Sequence, residues 1–207
     1  MDTLPSPPPR VLLIGAEGTL GRAVAAELAP RHDLLSAGRT SGELRLDLTD
    51  GNSMREAMAQ AGPLDAVVCA AGNVHFGHLL QMSADNWQLG LADKLMGQVN
   101  LSLIAAEYLR DGGSITLTGG ILSDHPIRQG ASASLVNGAL EAFVRAAAIE
   151  LPRGIRINLV SPSVLVEAMH AYAPYFRGFE PVPAARAALA YSRSVEGAET
   201  GKIYRVF

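Results

Sequence analysis

The stretch that most constrains this chain is Val11-Leu-Leu-Ile-Gly-Ala-Glu-Gly-Thr-Leu-Gly21, a short apolar run that breaks into three glycines spaced three apart. Residues 11–14 are too few for a stable helix and lack polar alternation, which suits a strand buried on both faces. Beyond Gly15, the residues Leu20, Ala23, Val24 and Leu28 recur at helical spacing until Pro30 stops the pattern. A strand therefore turns tightly into a helix N-terminus. In such a unit one glycine allows the turn, one lets the backbone approach a phosphate, and one lets helix and strand pack closely. The helix dipole and the exposed amides then favour an anion. The spacing is G-x-x-G-x-x-G rather than G-x-G-x-x-G, and glycine triplets also occur in loops that bind nothing. The position between strand and helix is what points to a nucleotide-phosphate loop over Gly15, Gly18, Thr19, Leu20 and Gly21.

At 207 residues with 48% hydrophobic side chains, the chain buries a substantial core, and its length fits one domain over residues 10–207. The net charge is -3 and the only lysines are Lys94 and Lys202, so no basic surface suggests nucleic acid or an anionic membrane. Cys69 is the sole cysteine; its apolar neighbours mark a buried filler, and a reducing cytoplasm is the expected home. Residues 1–9 carry an acid and four prolines without an apolar core, which reads as a mobile tail and not a secretion signal. No run approaches the roughly 20 apolar residues of a membrane span. His75 and His78 sit three apart in a loop and read as satisfied or solvated imidazoles; no metal-ligand cluster is expected.

Strands are expected at residues 33–37, 44–48, 66–71, 114–118, 155–160 and 202–206 besides the first. Asp50 is placed to cap a helix that buries Met54, Ala57, Met58 and Ala61. A long helix starts at Ser83 or Asp85, carries Trp87, Leu91, Leu95, Val99 and Leu103, and ends near Asp111. Another spans 132–150 with Leu135, Val136, Leu140, Phe143 and Ala147, and shorter ones follow at 167–172 and 184–191. The alternation predicts an α/β fold: a doubly wound, parallel sheet of about seven strands with helices on both faces. After the second strand, Gly38-Arg39-Thr40 falls where a cofactor ribose sits in such folds. Asp or Glu there takes the 2'-hydroxyl of NAD, whereas Arg39 suits the 2'-phosphate of NADP; the alternative is a solvated turn arginine.

Several passages together resemble the short-chain dehydrogenase/reductase family along nearly the whole chain. They are the glycine loop, Leu46-Asp47-Leu48, Ala70-Ala71-Gly72, Asn137-Gly-Ala-Leu-Glu-Ala-Phe, and Pro152-Arg-Gly-Ile-Arg-Ile-Asn-Leu-Val-Ser-Pro162. The resemblance implies a Rossmann-type fold that binds NADP(H) in preference to NAD(H). It puts Gly15, Gly18 and Gly21 at the pyrophosphate, Arg39 at the 2'-phosphate, Asp47 with Leu48 at the adenine, and Ala70, Ala71 and Gly72 along the adenosine ribose. It also implies a homodimer or homotetramer paired through the helices at 85–110 and 132–150.

The same resemblance raises a question about catalysis. Of the family's Asn, Ser, Tyr and Lys, the Asn position holds Lys94, the Ser position falls on Gly119 or Gly120, and the Tyr and Lys positions hold Ala133 and Asn137. Shifting the register brings up Ser132 or Ser134, never a tyrosine. A reductase needs a proton donor at the carbonyl oxygen, usually a Tyr whose pKa of about 10 is lowered by a lysine. Ala133 has no proton to give, while Asn137 can hydrogen-bond a ribose without supplying charge. Ser163 replaces the usual Gly after Pro162, and Glu167 falls near the usual Thr at the cofactor carboxamide. Replacement donors are Lys94, Ser123 and His125, with Lys94 the best because desolvation tunes a lysine for proton transfer. The alternative is that Lys94 pairs with Asp93 or another acid. Three functions follow: an NADP-dependent oxidoreductase with a rearranged acid, a non-catalytic NADP(H) sensor or regulator, and a scaffold without cofactor. Substrate recognition falls to residues 164–183, where Met169, Tyr172, Tyr175 and Phe176 suggest an apolar lid.

Overall fold

Leu12 and Ile14 pack into one hydrophobic cluster, and Val11 and Leu13 into another on the opposite side. The apolar run is thus a central strand with both faces covered, as its lack of alternation requires. The computed structural model describes residues 7–207; of the expected tail, residues 1–6 lie outside them. The strands are β1 (Arg10–Ile14), β2 (Asp33–Gly38), β3 (Leu44–Arg45), β4 (Leu64–Cys69), β5 (Leu109–Thr118), β6 (Arg156–Pro162) and β7 (Ile203–Val206). All pair in parallel in the order β3-β2-β1-β4-β5-β6-β7.

Helices α2 (Gly51–Ala61), α4 (Gly97–Tyr108) and α5 (Ala131–Glu150) cover one face with Met54, Met58, Leu101, Val136 and Leu140. Helices α1 (Thr19–Leu28) and α7 (Ala184–Glu196) cover the other with Val24, Leu28, Ala187 and Tyr191. Asp50 caps α2 as expected, its side chain accepting from the Asn52 amide at 2.8 Å. The sheet grows outward in both directions from β1 and β4, so the loops at their carboxyl ends part and leave a cleft between them.

The long helix differs from its expected form. Helix α3 (Ala84–Leu89) leads into a π-helical stretch, Gly90–Met96, before α4 begins, and α4 ends at Tyr108 because residues 109–113 already belong to β5. Ser83 opens it with a capping box to Asn86. The wider π turn rotates the helix phase, so the stripe Trp87, Leu91, Leu95, Val99 and Leu103 is not the core face. Leu103 is 57% exposed, and Asp93, Gly97, Gln98, Leu101, Ile104 and Ala105 are buried instead. The third strand is also shorter: Leu46 and Leu48 are buried, but Asp47 bends the backbone with Oδ1 accepting from the Thr49 amide and hydroxyl at 2.9 and 2.8 Å. Strand β4 begins and ends two residues before its expected span, which puts Ala70 and Ala71 in the following loop. After β6, a 3-10 turn (Val166–Ala168) and α6 (Met169–Tyr172) form a lid, tied at its base by a bridge between Leu165 and Val182.

Candidate functional site

Two depressions open along the carboxyl edge of the sheet and share Gly72 and Asn73. The first, about 150 Å³, lies over β1 and β2 and is lined by Gly15, Gly18, Gly38, Arg39, Asp47, Leu48, Ala71, Gly72 and Asp93 among others. The three glycines of the loop beside it have different physical reasons. Gly15 has φ +83°, and a Cβ on it would lie 2.9 Å from the Ala70 carbonyl oxygen; a Cβ on Gly21 would lie 1.9 Å from the Gly15 oxygen. The turn itself demands both. Gly18 has an ordinary φ of -71°, and a Cβ there would meet only the Gly15 oxygen, at 3.3 Å. That contact is tight without being prohibitive, and it lies at the start of a helix that no side chain caps and that carries no acid in its first turn.

Arg39 stands exposed at the far rim of this depression with no hydrogen bond or ion pair among the described residues. It lies near Asp47, whose carboxyl is held below its ordinary range by the Thr49 backbone and side-chain hydrogen bonds, with a smaller contribution from Arg39. Thr19, Leu20, Gly21 and Ala70 do not line the depression; Gly21 is buried against the Gly15 carbonyl, and Leu20 and Ala70 pack partly into the core. Sequence reasoning missed Asn73 and Asp93, which face each other here with Asn73 Nδ2 donating to Asp93 Oδ2 at 2.7 Å. A polar residue directly after Ala70-Ala71-Gly72 was the available signal.

The second depression, about 300 Å³, extends under the lid and is lined by Lys94, Gly119, Gly120, Ala133, Asn137, Ser163 and a set of apolar side chains. The π turn swings Lys94 inward, and its stem runs so close to Gly72 that a Cβ on that glycine would lie 2.8 Å from Lys94 Cγ. Lys94 Nζ donates to the Gly119 carbonyl at 3.1 Å, and Asn137 Nδ2 donates to the Gly120 carbonyl at 3.2 Å. The anticipated pairing of Lys94 with Asp93 does not occur, because Asp93 is engaged by Asn73. Burial among apolar walls pulls the Lys94 ammonium from its usual 10.5 down to about 8. The buried Asn137 Oδ1 has no partner among the described residues, an acceptor that the fold leaves unmatched.

The other expected donors lie elsewhere. Ser123 is outside the cavity, its hydroxyl donating to the buried Glu141 carboxylate at 2.7 Å. His125 lies in a neighbouring groove with its ring edge-to-face with Phe207 at 5.7 Å. Glu167 is also turned away, both carboxylate oxygens accepting from the Ala184 amide at 3.1 and 3.0 Å, where they cap α7. Of the lid residues, Tyr172 and Phe176 line the cavity, and Tyr172 meets Phe76 edge-on at 6.0 Å. Phe76 escaped sequence reasoning because nothing in its own loop marks it as facing the lid.

The residues present fit a dinucleotide: a cradle that only a side chain at Gly18 would fill, an uncapped helix start, and an unmatched acceptor at Asn137. The geometry defines a doubly wound nucleotide-binding protein with an apolar chamber beside its cleft. A sequence profile described as enoyl-(acyl carrier protein) reductase matches residues 16–205. The chain belongs to the short-chain dehydrogenase/reductase family of oxidoreductases, whose members bind a nicotinamide cofactor. It is 47% identical to the protein lin1944 from Listeria innocua, with a TM-score of 0.94 over 96% of this chain and 99% of that one. A small-chain dehydrogenase in complex with NADPH is 25% identical with a TM-score of 0.85, covering 96% of each chain. A versicolorin reductase from Emericella nidulans is 30% identical over 73% of this chain and 60% of that protein. A cyclic-di-GMP-binding biofilm dispersal mediator from Escherichia coli is 30% identical over 56% and 50%. The chain thus spans only half to three-fifths of the length of these two relatives. Among the described residues no helix is long and apolar enough to cross a membrane.

Proposed function

We propose that this protein is an NADP(H)-dependent oxidoreductase that acts on a carbonyl or alcohol, with Lys94 in place of the family's tyrosine as proton donor. The observation that carries this reading is the placement of Lys94 Nζ in the chamber, bonded to the Gly119 carbonyl and without an ion pair among the described residues. In this reading Gly15, Gly18 and Gly21 hold the pyrophosphate, Arg39 the 2'-phosphate, Asp47 the adenosine end, and Asn137 Oδ1 a ribose hydroxyl. The cofactor, when bound, supplies or accepts the hydride.

The chain's own residues do the rest. The Gly119 carbonyl and the channel past Gly72 fix Lys94 in one direction. The apolar walls around Lys94 desolvate its ammonium, which makes it a stronger acid than a surface lysine. Nζ gives its proton to the substrate oxygen during reduction and takes one from the alcohol in the reverse direction. The exposed Leu103, Leu135 and Ile149 on α4 and α5 support pairing of two copies through these helices.

The test is NADPH oxidation across a panel of apolar carbonyl compounds. A substrate-dependent rate that falls at least a hundredfold in Lys94→Gln, with NADPH affinity retained, supports the assignment. An unchanged rate in the variant removes Lys94 from the reaction. NADPH binding without turnover on any compound favours the sensor, for which the absence of a tyrosine at Ala133 already speaks.

A further inference from the structure

Among the described residues, Lys94 is the only ionisable side chain lining the chamber apart from the Tyr172 phenol. Its ammonium has three N–H donors, and the Gly119 carbonyl takes one. No carboxylate among the described residues pairs with it directly: Asp93, on its own π turn, accepts from the Asn73 amide and favours the ammonium only through space. From β4, the Cys69 thiol is pushed up to about 12 by burial and stays neutral. From β5 comes only backbone, α5 presents Ala133 and Asn137, and the lid presents Tyr172. An ammonium brought among apolar walls without a directly paired counter-ion is costly, and an anion that arrives with a ligand offsets that cost.

The walls state the rest of the ligand's chemistry. Val74, Phe76, Leu122, Val164, Tyr172 and Phe176 enclose about 300 Å³, the small end of the range for small-molecule sites. Aromatic edges meet across the opening, with Phe76 to Tyr172 at 6.0 Å and Tyr172 to Phe176 at 6.2 Å. Such a chamber takes one ring or a short branched chain.

We infer that the substrate is a small apolar oxo acid, its carboxylate and neighbouring carbonyl oxygen taking the two free N–H groups of Lys94 while its body lies against Phe76, Tyr172 and Phe176. The oxo group rests on the reductase reading above. The carboxylate does not, because its binding is measured without cofactor.

The probes are 3-phenylpropanoate and its uncharged amide, titrated calorimetrically into the full chain and into Lys94→Met between pH 7 and 10. The acid is expected to bind the wild type at least tenfold more tightly than the amide at pH 7. Above pH 8 its affinity should fall roughly tenfold per pH unit, with proton uptake on binding, because only protonated Lys94 pairs with it. The amide should show neither effect. Lys94→Met should lose the preference for acid and bind acid and amide alike at every pH, with its cooperative thermal unfolding reporting that the variant is folded. Equal binding of acid and amide, a flat pH profile, or a preference that survives Lys94→Met would each overturn the inference. Adenosine 2',5'-bisphosphate, titrated in parallel, reads the Arg39 end alone. If it binds and the acid does not, the substrate inference falls while the cofactor reading stands. If the acid binds while neither the bisphosphate nor NADPH does, the reductase reading falls and the anion site stands.

Discussion

Replacing Lys94 with Met keeps the aliphatic stem that passes Gly72 and removes the ammonium. In the folded protein that ammonium titrates near 8, against a usual 10.5, because its surroundings are apolar. The gap corresponds to about 3 kcal/mol of cost for carrying the charge. Losing the bond to the Gly119 carbonyl returns about 1 to 2 kcal/mol of this. The variant should therefore be more stable than the wild type at pH 7 by roughly 1 to 2 kcal/mol. The sign with pH follows from proton counts. Between pH 8 and 10.5 the unfolded chain holds the Lys94 proton and the folded chain has released it, so this lysine makes stability rise with pH across that window. Below pH 8 the full cost is present; above 10.5 it is gone. Urea denaturation of both proteins from pH 7 to 10.5 gives the difference, in which titrating groups remote from Lys94 cancel. The advantage of Lys94→Met should shrink steadily across the window. A variant less stable than wild type at pH 7, or a difference that does not change with pH, would refute the desolvated-lysine argument.

Three other perturbations probe the cleft and its supports. Arg39→Ala should weaken NADPH by about ten- to a hundredfold, the worth of a charge-assisted phosphate contact, and leave NADH nearly unchanged, as read by fluorescence titration. Gly21→Ala should fail to fold or lose more than about 3 kcal/mol in thermal denaturation, because its Cβ would lie 1.9 Å from the Gly15 oxygen. Gly18→Ala should fold with near wild-type stability and lose cofactor affinity, and equal destabilisation by both alanines would refute the division of roles. Glu167→Ala should cost about 1 kcal/mol through the lost α7 cap without altering NADPH affinity; a large change in affinity would place Glu167 at the cofactor after all.

The strands were legible because β1, β4 and β6 are short apolar runs bounded by turn residues, and a parallel sheet buried on both faces leaves few other ways to use them. The helix at 84–108 was legible in extent but not in phase. Periodicity assumes 3.6 residues per turn throughout, and nothing in Gly90-Leu-Ala-Asp-Lys-Leu-Met96 announces a π turn. That turn is what aims Lys94 into the chamber and buries Asp93. The glycine loop could be placed from spacing, but only the coordinates separate Gly15 and Gly21, which the backbone requires, from Gly18, which it does not. Ser123, His125 and Glu167 share a physical reason for their absence from the site. Each lies in a loop or turn beyond a strand end, where sequence fixes proximity but not side-chain direction, and each finds a partner outside the chamber.

Calorimetric titration of NADPH and NADH into the wild-type protein and Arg39→Ala, under identical buffer conditions, decides whether this cleft is an NADP(H) site. Saturable NADPH binding that exceeds NADH binding at least tenfold in the wild type, with the preference erased in Arg39→Ala, is the predicted result. Its thermal counterpart is a stabilisation of about 2.7 kcal/mol at a hundredfold excess over the dissociation constant. No binding of either nucleotide, or equal affinities that Arg39→Ala leaves untouched, would contradict the claim that this cleft is an NADP(H) site.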